Sequence, residues 1–285
     1  MSAQFRETVI LQELLSRCGE GVAPLCCDVG AWDPTRHSNT YELWHDRGWS
    51  AILVERKPVW CQRLIEASKG FPVTTINTTI TANGETSLDA LFQQRNLGPD
   101  VGVLSIDIDS YDYYVFKNLR YLRPQIVIIE FNQLLHPSFK YCDPEDEVYL
   151  RCSFAALQEL AEDKGYQLYA ATDCNAIFVL SSIAQNYLGP RAEVDVGNLR
   201  NWRERLLTWL GLALGGGNLY PVFTRPRMWL YRKTVRGMMW CACQLLNLAW
   251  VKRLMKKIGR SYHGMMFTRP SPSMQLHLAR YGIAV

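Results

Sequence analysis

Between residues 24 and 132, five apolar runs each stop at an acid or an amide. Pro24-Leu25-Cys26-Cys27 leads into Asp28, Trp49 to Val54 into Glu55, and Phe71 to Ile76 into Asn77. Val101 to Ile108 closes on Asp107 and Asp109, and Gln125 to Ile129 ends at Glu130-Phe131-Asn132. Helical patterns separate these runs. Strands that alternate with helices form a parallel sheet covered on both faces, because a parallel neighbour can be reached only through a crossover. A run as continuously apolar as Gln125-Ile126-Val127-Ile128-Ile129 fits a strand buried on both sides. In such a sheet the strand tips share one edge, where doubly wound proteins hold their ligands.

The intervening segments fit this order. Phe5, Val9, Leu11, Leu14 and Leu15 mark an amphipathic N-terminal helix, and Ser38, Asn39 and Thr40 can cap a second. Val59 to Lys69 reads as a helix stopped by Gly70, Ser87 caps one from Leu88 to Gln94, and Tyr113 to Leu122 is helical before Pro124 restarts the chain. A helix from Phe154 to Lys164 closes at Gly165. Tyr166 to Ala170 and Ala176 to Leu180, parted by Thr172-Asp173-Cys174-Asn175, then read as an antiparallel hairpin. The expected fold is α/β, a Rossmann-like doubly wound and mostly parallel sheet, over residues 1–198.

The first crossover is the most informative. Gly30 follows Asp28 in a tight turn whose missing Cβ would let a ligand approach the backbone. An acid about 20 to 25 residues beyond such a turn sits at the tip of the second strand and can accept hydrogen bonds from both hydroxyls of a ribose. Glu55 is that acid, so a nucleoside-bearing ligand is expected although G-x-G-x-x-G is not present.

These residues carry a resemblance. Asp-Val-Gly-Ala-Trp-Asp (28–33), Ser-Asn-Thr (38–40), Gly-Trp (48–49) and Val-Glu (54–55) resemble the first half of FkbM-type methyltransferases. Leu-Ser-Ile-Asp-Ile-Asp-Ser-Tyr-Asp-Tyr-Tyr-Val (104–115), Arg-Pro-Gln-Ile-Val-Ile-Ile-Glu-Phe-Asn (123–132), Gly-Tyr (165–166) and Asn-Ala-Ile-Phe-Val (175–179) are similar to the second half. The likeness covers roughly residues 20–182. It implies a seven-stranded Rossmann-like fold of methyltransferase type, S-adenosylmethionine (SAM) as cofactor, and O-methylation of a glycan, glycolipid or related small molecule. Gly30 and Ala31 would border the methionine moiety, with Asp28 and Asn39 in the same cofactor-binding set. Glu55 would hold the ribose, Asn77 would lie near the adenine, and Asp107 would face the reacting centre. Pro34 departs from the pattern, standing where such enzymes commonly place a second glycine.

Methyl transfer to oxygen needs an in-line approach and removal of the hydroxyl proton. Asp107, Asp109, Glu130 and His136 are the candidate bases, His136 being open to a packing role as well. Asp107, Asp109, Glu130 and Asn132 together could hold Mg²⁺, which takes oxygen ligands, whereas Asp109 and Asp112 could instead cap the next helix.

Charge divides the chain. Residues 1–198 hold 16 Lys and Arg against 26 Asp and Glu, a net of −10, and residues 199–285 hold 15 against one, Glu204, a net of +14. This second region is expected to be a basic, apolar helical extension. Trp202, Trp209, Trp229, Trp240 and Trp250 are interleaved with Arg and Lys, and Met238 to Val251 is apolar but shorter than the roughly 20 residues that span a bilayer. Contact of 199–260 with an anionic membrane surface and docking on the first domain or on a second copy in a homo-oligomer both fit. Nucleic acid fits less well, since no RNA-binding module is visible. Liposomes with anionic lipid are expected to sediment the full chain but not residues 1–198; equal sedimentation of both would refute membrane contact. The nine cysteines form no C-x-x-C pair, and the N-terminus lacks a long apolar core, so a reduced cytoplasmic protein, peripheral on a membrane, is expected. A domain that has lost its cofactor and serves as a membrane adaptor is the rival reading.

Overall fold

A computed structural model describes residues 6–189 except 134, 136, 138, 146, 147, 149 and 150. Its strands are β1 (Leu25–Val29), β2 (Ser50–Glu55), β3 (Val73–Asn77), β4 (Asp100–Ile106), β5 (Arg123–Glu130), β6 (Tyr166–Ala171) and β7 (Asn175–Leu180). They form one seven-stranded sheet in the order β3-β2-β1-β4-β5-β7-β6. All neighbours are parallel except those of β7, which runs antiparallel to both β5 and β6. This is the seven-stranded Rossmann-like sheet expected, with the order reversing between β1 and β4.

The helices are α1 (Glu7–Cys18), α2 (Tyr41–His45), α3 (Pro58–Ala67), α4 (Leu88–Gln94), α5 (Asp112–Asn118), α6 (Phe154–Asp163) and α7 (Ser181–Ile183). Because successive side chains on a strand point to opposite faces, the core splits in two. Cys27, Val29, Leu104, Ile106, Val127 and Ile129 meet Phe92 of α4, Phe116 of α5 and Leu157 of α6. Cys26, Leu53, Val103, Ile126 and Ile128 meet Leu14 of α1, Trp44 of α2 and Leu64 of α3. Ser87 and Ser153 cap α4 and α6 by accepting from Ala90 N–H and Ala156 N–H, both at 3.3 Å.

Several bounds shift from the sequence reading. β4 stops at Ile106, so Asp107 and Asp109 stand in the following loop. α5 ends at Asn118, four residues earlier than the pattern suggested, and β5 begins at Arg123 and takes in Pro124. Pro is tolerated there because β7 pairs only from Ile126 onward, leaving that side of the strand's first residues without a ladder partner. Pro34, the departure from the family pattern, is buried in a turn where Asp33 Oδ1 accepts from the N–H and hydroxyl of Thr35, both at 2.9 Å. A residue lacking an N–H costs little at that position.

The basic extension expected over 199–285, Phe5 and His136 lie outside the described residues. Among the described residues no helix is long and apolar enough to cross a membrane.

Candidate functional site

The registers put the strand tips side by side: Val29 lies opposite both Val54 and Ile106, Glu55 opposite Asn77, and Ile106 opposite Ile129. Beyond β1, Gly30 has φ 87°, and a Cβ on it would lie 1.8 Å from the Asp107 carbonyl oxygen. This corrects the expected reason for the glycine. The space is taken by the backbone of the β4 tip rather than kept for a ligand, and Gly30 reaches the ligand side through its main chain. The turn is fixed by Gly30 N–H and Ala31 N–H, which both donate to Val54 C=O, at 2.9 and 3.1 Å.

Two adjoining cavities open over these tips. The larger, about 340 Å³, lies within the volume range of small-molecule sites. Gly30, Trp32, Glu55, Arg56, Ile80 and Tyr111 form much of its wall, and the Asp107–Asp109 loop closes it. The smaller, about 130 Å³, is bounded by Asp28, Ala31, Arg36, Asn39, Ser105 and Asp107. Gly30, Trp32, Asp107 and Asp109 border both.

Glu55 organises the larger cavity. Its Oε1 accepts from Lys57 N–H at 2.7 Å and its Oε2 from Trp32 N–H at 3.1 Å, so one carboxylate ties the turn after β1 to the entry of α3. Each carboxylate oxygen has a further lone pair, and both can still accept from a ligand's hydroxyls. Trp32 pays for its place with a positive φ of 39°, unusual for a bulky residue. Its ring, 37% exposed, stacks on His37 at 6.0 Å and meets Trp60 edge-on at 5.2 Å.

Asp28, Ala31 and Asn39, which border the smaller cavity, also hold the scaffold. Buried Asp28 accepts at Oδ2 from Thr40 Oγ1 at 2.7 Å and Ser38 Oγ at 3.2 Å, and the Ser38 hydroxyl accepts from Tyr41 N–H at 3.1 Å to start α2. Burial raises the Asp28 pKa, although these hydroxyls oppose the shift. Asn39 donates to Ser105 Oγ at 3.2 Å, and Ala31 packs in the core. Asn77 donates its amide to the carbonyls of Glu55 at 2.8 Å and Arg56 at 3.2 Å, and the cavity wall at that point is Thr78 and Thr79. Its side-chain NH2 closes a turn. Asn132 is buried behind the β5 tip, where its N–H donates to Cys152 C=O at 2.8 Å.

Asp107, Asp109 and Glu130 do converge, each with a carboxylate oxygen within 4.8 Å of the others. Asp112, the expected helix cap, instead shapes the loop between them by accepting from Ile108 N–H at 2.8 Å and Ser110 N–H at 3.0 Å. Burial pushes Asp107 up to about 9, helped by the charges of Glu130, Asp112 and Asp109 and opposed by Arg151. Burial likewise raises Glu130 to about 7, against the pull of Arg151. Loss of water around a carboxyl and the nearness of other carboxylates both favour its protonated form, so Asp107 holds its proton more tightly than an ordinary aspartate.

Arg151 was not visible as a site residue in the sequence. Its Nη1 bonds Glu130 Oε2 and lies 3.1 Å from Asp109 Oδ1. Burial works against its charge, but Glu130, Asp112 and Asp109 outweigh that, leaving the guanidinium more firmly protonated. The donor set therefore does not suit Mg²⁺: the Arg151 guanidinium already sits on two of the three carboxylates. SAM fares better, since Glu55 offers acceptors at the β2 tip beside a cavity of suitable volume.

No protein-family model and no curated protein matches this sequence. Several solved structures are similar to it. A SAM-dependent methyltransferase from Clostridium acetobutylicum aligns at 10% identity over 61% of this chain and 91% of its own, with a TM-score of 0.41. The SAM-bound amino pentose methyltransferase of calicheamicin biosynthesis from Micromonospora echinaspora aligns at 8% identity over 61% and 90%, with a TM-score of 0.40. A SAM-dependent methyltransferase from Aquifex aeolicus aligns at 13% over 61% and 90%, with a TM-score of 0.39.

Proposed function

We propose that this chain is a SAM-dependent methyltransferase acting on a hydroxyl of a glycan, glycolipid or related metabolite. The observation that carries the reading is Glu55, a nearly buried carboxylate at the β2 tip. It is held by two backbone N–H groups and faces the larger cavity where the strand order reverses. Open α/β sheets take nucleotide-like ligands at that crevice, with an acid on the ribose.

When bound, SAM supplies a methyl group on a sulfonium. The chain's own work is then to hold, orient and deprotonate. Glu55 accepts the ribose hydroxyls, the backbone of Gly30 and Trp32 borders the amino-acid end, and Trp32 shields the cavity from water on its open side. An acceptor hydroxyl must lose a proton as the new bond forms. Glu130 is the base that suits neutral pH, while Asp107, protonated, donates a hydrogen bond to the acceptor oxygen or to Glu130. Asp109 is exposed at the rim and orients Arg151. His136 keeps its place as a candidate base from the sequence alone, as do a lipid-linked acceptor and an anionic membrane surface for 199–260.

Calorimetric titration with SAM tests the reading. Micromolar binding is expected, weakened about a hundredfold in Glu55→Ala, which removes charge-assisted hydrogen bonds to both hydroxyls. Heat that is identical in wild type and variant would refute the role of Glu55. The rival adaptor reading is favoured by Pro34 where a second glycine is expected, and absence of heat at millimolar SAM would leave it standing.

A further inference from the structure

Three converging carboxylates are an arrangement that hard divalent cations use, yet here a side chain is paired with two of them. The Arg151 guanidinium bonds Glu130 and pairs with Asp109, and it is 23% exposed, so it is not a loosely solvated surface group. Its backbone is aimed there by a short antiparallel ribbon. Cys142 faces Cys152, Asp143 N–H donates to Arg151 C=O at 2.8 Å, and Ser153 N–H donates to Tyr141 C=O at 2.9 Å. The Asp143 carboxylate accepts from Arg151 N–H at 2.5 Å and from the Tyr141 hydroxyl at 2.7 Å, and Tyr114 of α5 donates to Asp143 C=O at 2.7 Å.

Arg151 itself adopts φ 58°, a left-handed conformation that non-glycine residues rarely take. Such conformations persist only where the surroundings over-determine them. The ribbon holds the Arg151 backbone at both its N–H and its C=O, so the positive charge belongs to the chain rather than to a diffusible ion. We propose that Arg151 is a tethered cation that fills the divalent-ion position of the Asp107–Asp109–Glu130 triad and positions Glu130 in the candidate site. The charge placement stands whatever the reaction; only the value of a positioned Glu130 rests on the methyltransferase reading. Arg suits this place because its planar fork is weakly hydrated and can engage two carboxylates at once.

Removing the guanidinium should turn the triad into a metal site. Mn²⁺ binding, followed by loss of the free-ion paramagnetic resonance signal, is expected to be about tenfold tighter or more in Arg151→Gln and Arg151→Met than in wild type, since Glu130 and Asp109 then lose the cation that competes for their oxygens. Arg151→Lys, which keeps a cation, should behave as wild type, and Arg151→Gln combined with Glu130→Gln should lose the gained affinity. Should Arg151→Gln be unfolded as prepared, Mn²⁺ is expected to restore its circular dichroism. The proposal is overturned if wild type binds Mn²⁺ as tightly as Arg151→Gln, if Arg151→Lys gains the site equally, or if Mn²⁺ neither binds nor refolds Arg151→Gln. SAM takes no part in these measurements, so failure of SAM to bind would sink the enzymatic reading without touching this one.

Discussion

Gly30→Ala is expected to destabilise the domain by about 4 kcal/mol or more, at the upper end of single substitutions, and to abolish SAM binding in whatever folds. Two effects add. The residue sits at φ 87°, where an alanine is strained, and its Cβ would fall 1.8 Å from the Asp107 carbonyl oxygen. A backbone carbonyl cannot move aside as a flexible side chain could. Relief requires parting the β1 turn from the β4 tip, which displaces Trp32 and the Asp107–Asp109 loop together. Gly102→Ala is the matched control: its Cβ would lie 1.9 Å from the Ala23 carbonyl oxygen, at the opposite end of the sheet. Thermal denaturation should show both variants weakened, whereas calorimetry should show donor affinity lost only in the first. Normal SAM binding by folded Gly30→Ala would mean that the cavity beside this turn is not the donor site.

Asp107→Asn is expected to stabilise the protein, and to do so more as pH rises. Burial and the neighbouring carboxylates hold the folded-state value at about 9, whereas the unfolded chain ionises in the ordinary range near 3.8. Folding must therefore take up a proton between those values. The stability is whole below the unfolded value and declines as pH rises through the folded one. Asparagine carries no such penalty. After allowance for coupling among the carboxylates, a gain of about 3 kcal/mol at mildly alkaline pH and almost none in acid is the expected outcome of denaturant titrations. A gain that is flat with pH, or a loss, would show that Asp107 is ionised in the native protein and would return it to the list of bases.

The architecture was readable because strand ends in this chain coincide with abrupt changes from apolar to acidic residues. Cys27 to Asp28, Val54 to Glu55 and Ile129 to Glu130 mark three of the tips within a residue. Period and polarity are local signals. The site was only half legible for the same reason. Glu55, Asp107 and Glu130 could be placed because each ends or follows a strand. Arg151 could not, since it belongs to a loop without periodicity and meets Asp109 across 42 positions of sequence. At Asn77 the sequence shows a polar residue at a strand tip but not that its side-chain NH2 also donates to the carbonyls of Glu55 and Arg56. At Gly30 the sequence shows that a Cβ is missing but not that the Asp107 carbonyl occupies its place.

The order in which the sheet is completed bears on how the protein is made. β7 inserts between β5 and β6, so β5, whose Ile126 to Ile129 are fully buried, has no partner on one side until Asn175–Leu180 has left the ribosome. A nascent chain halted short of that point presents an open, aliphatic strand margin, the kind of surface that recruits other chains. Fragments ending before residue 175 should therefore form inclusion bodies, and chaperones should hold the growing polypeptide until its last strand arrives.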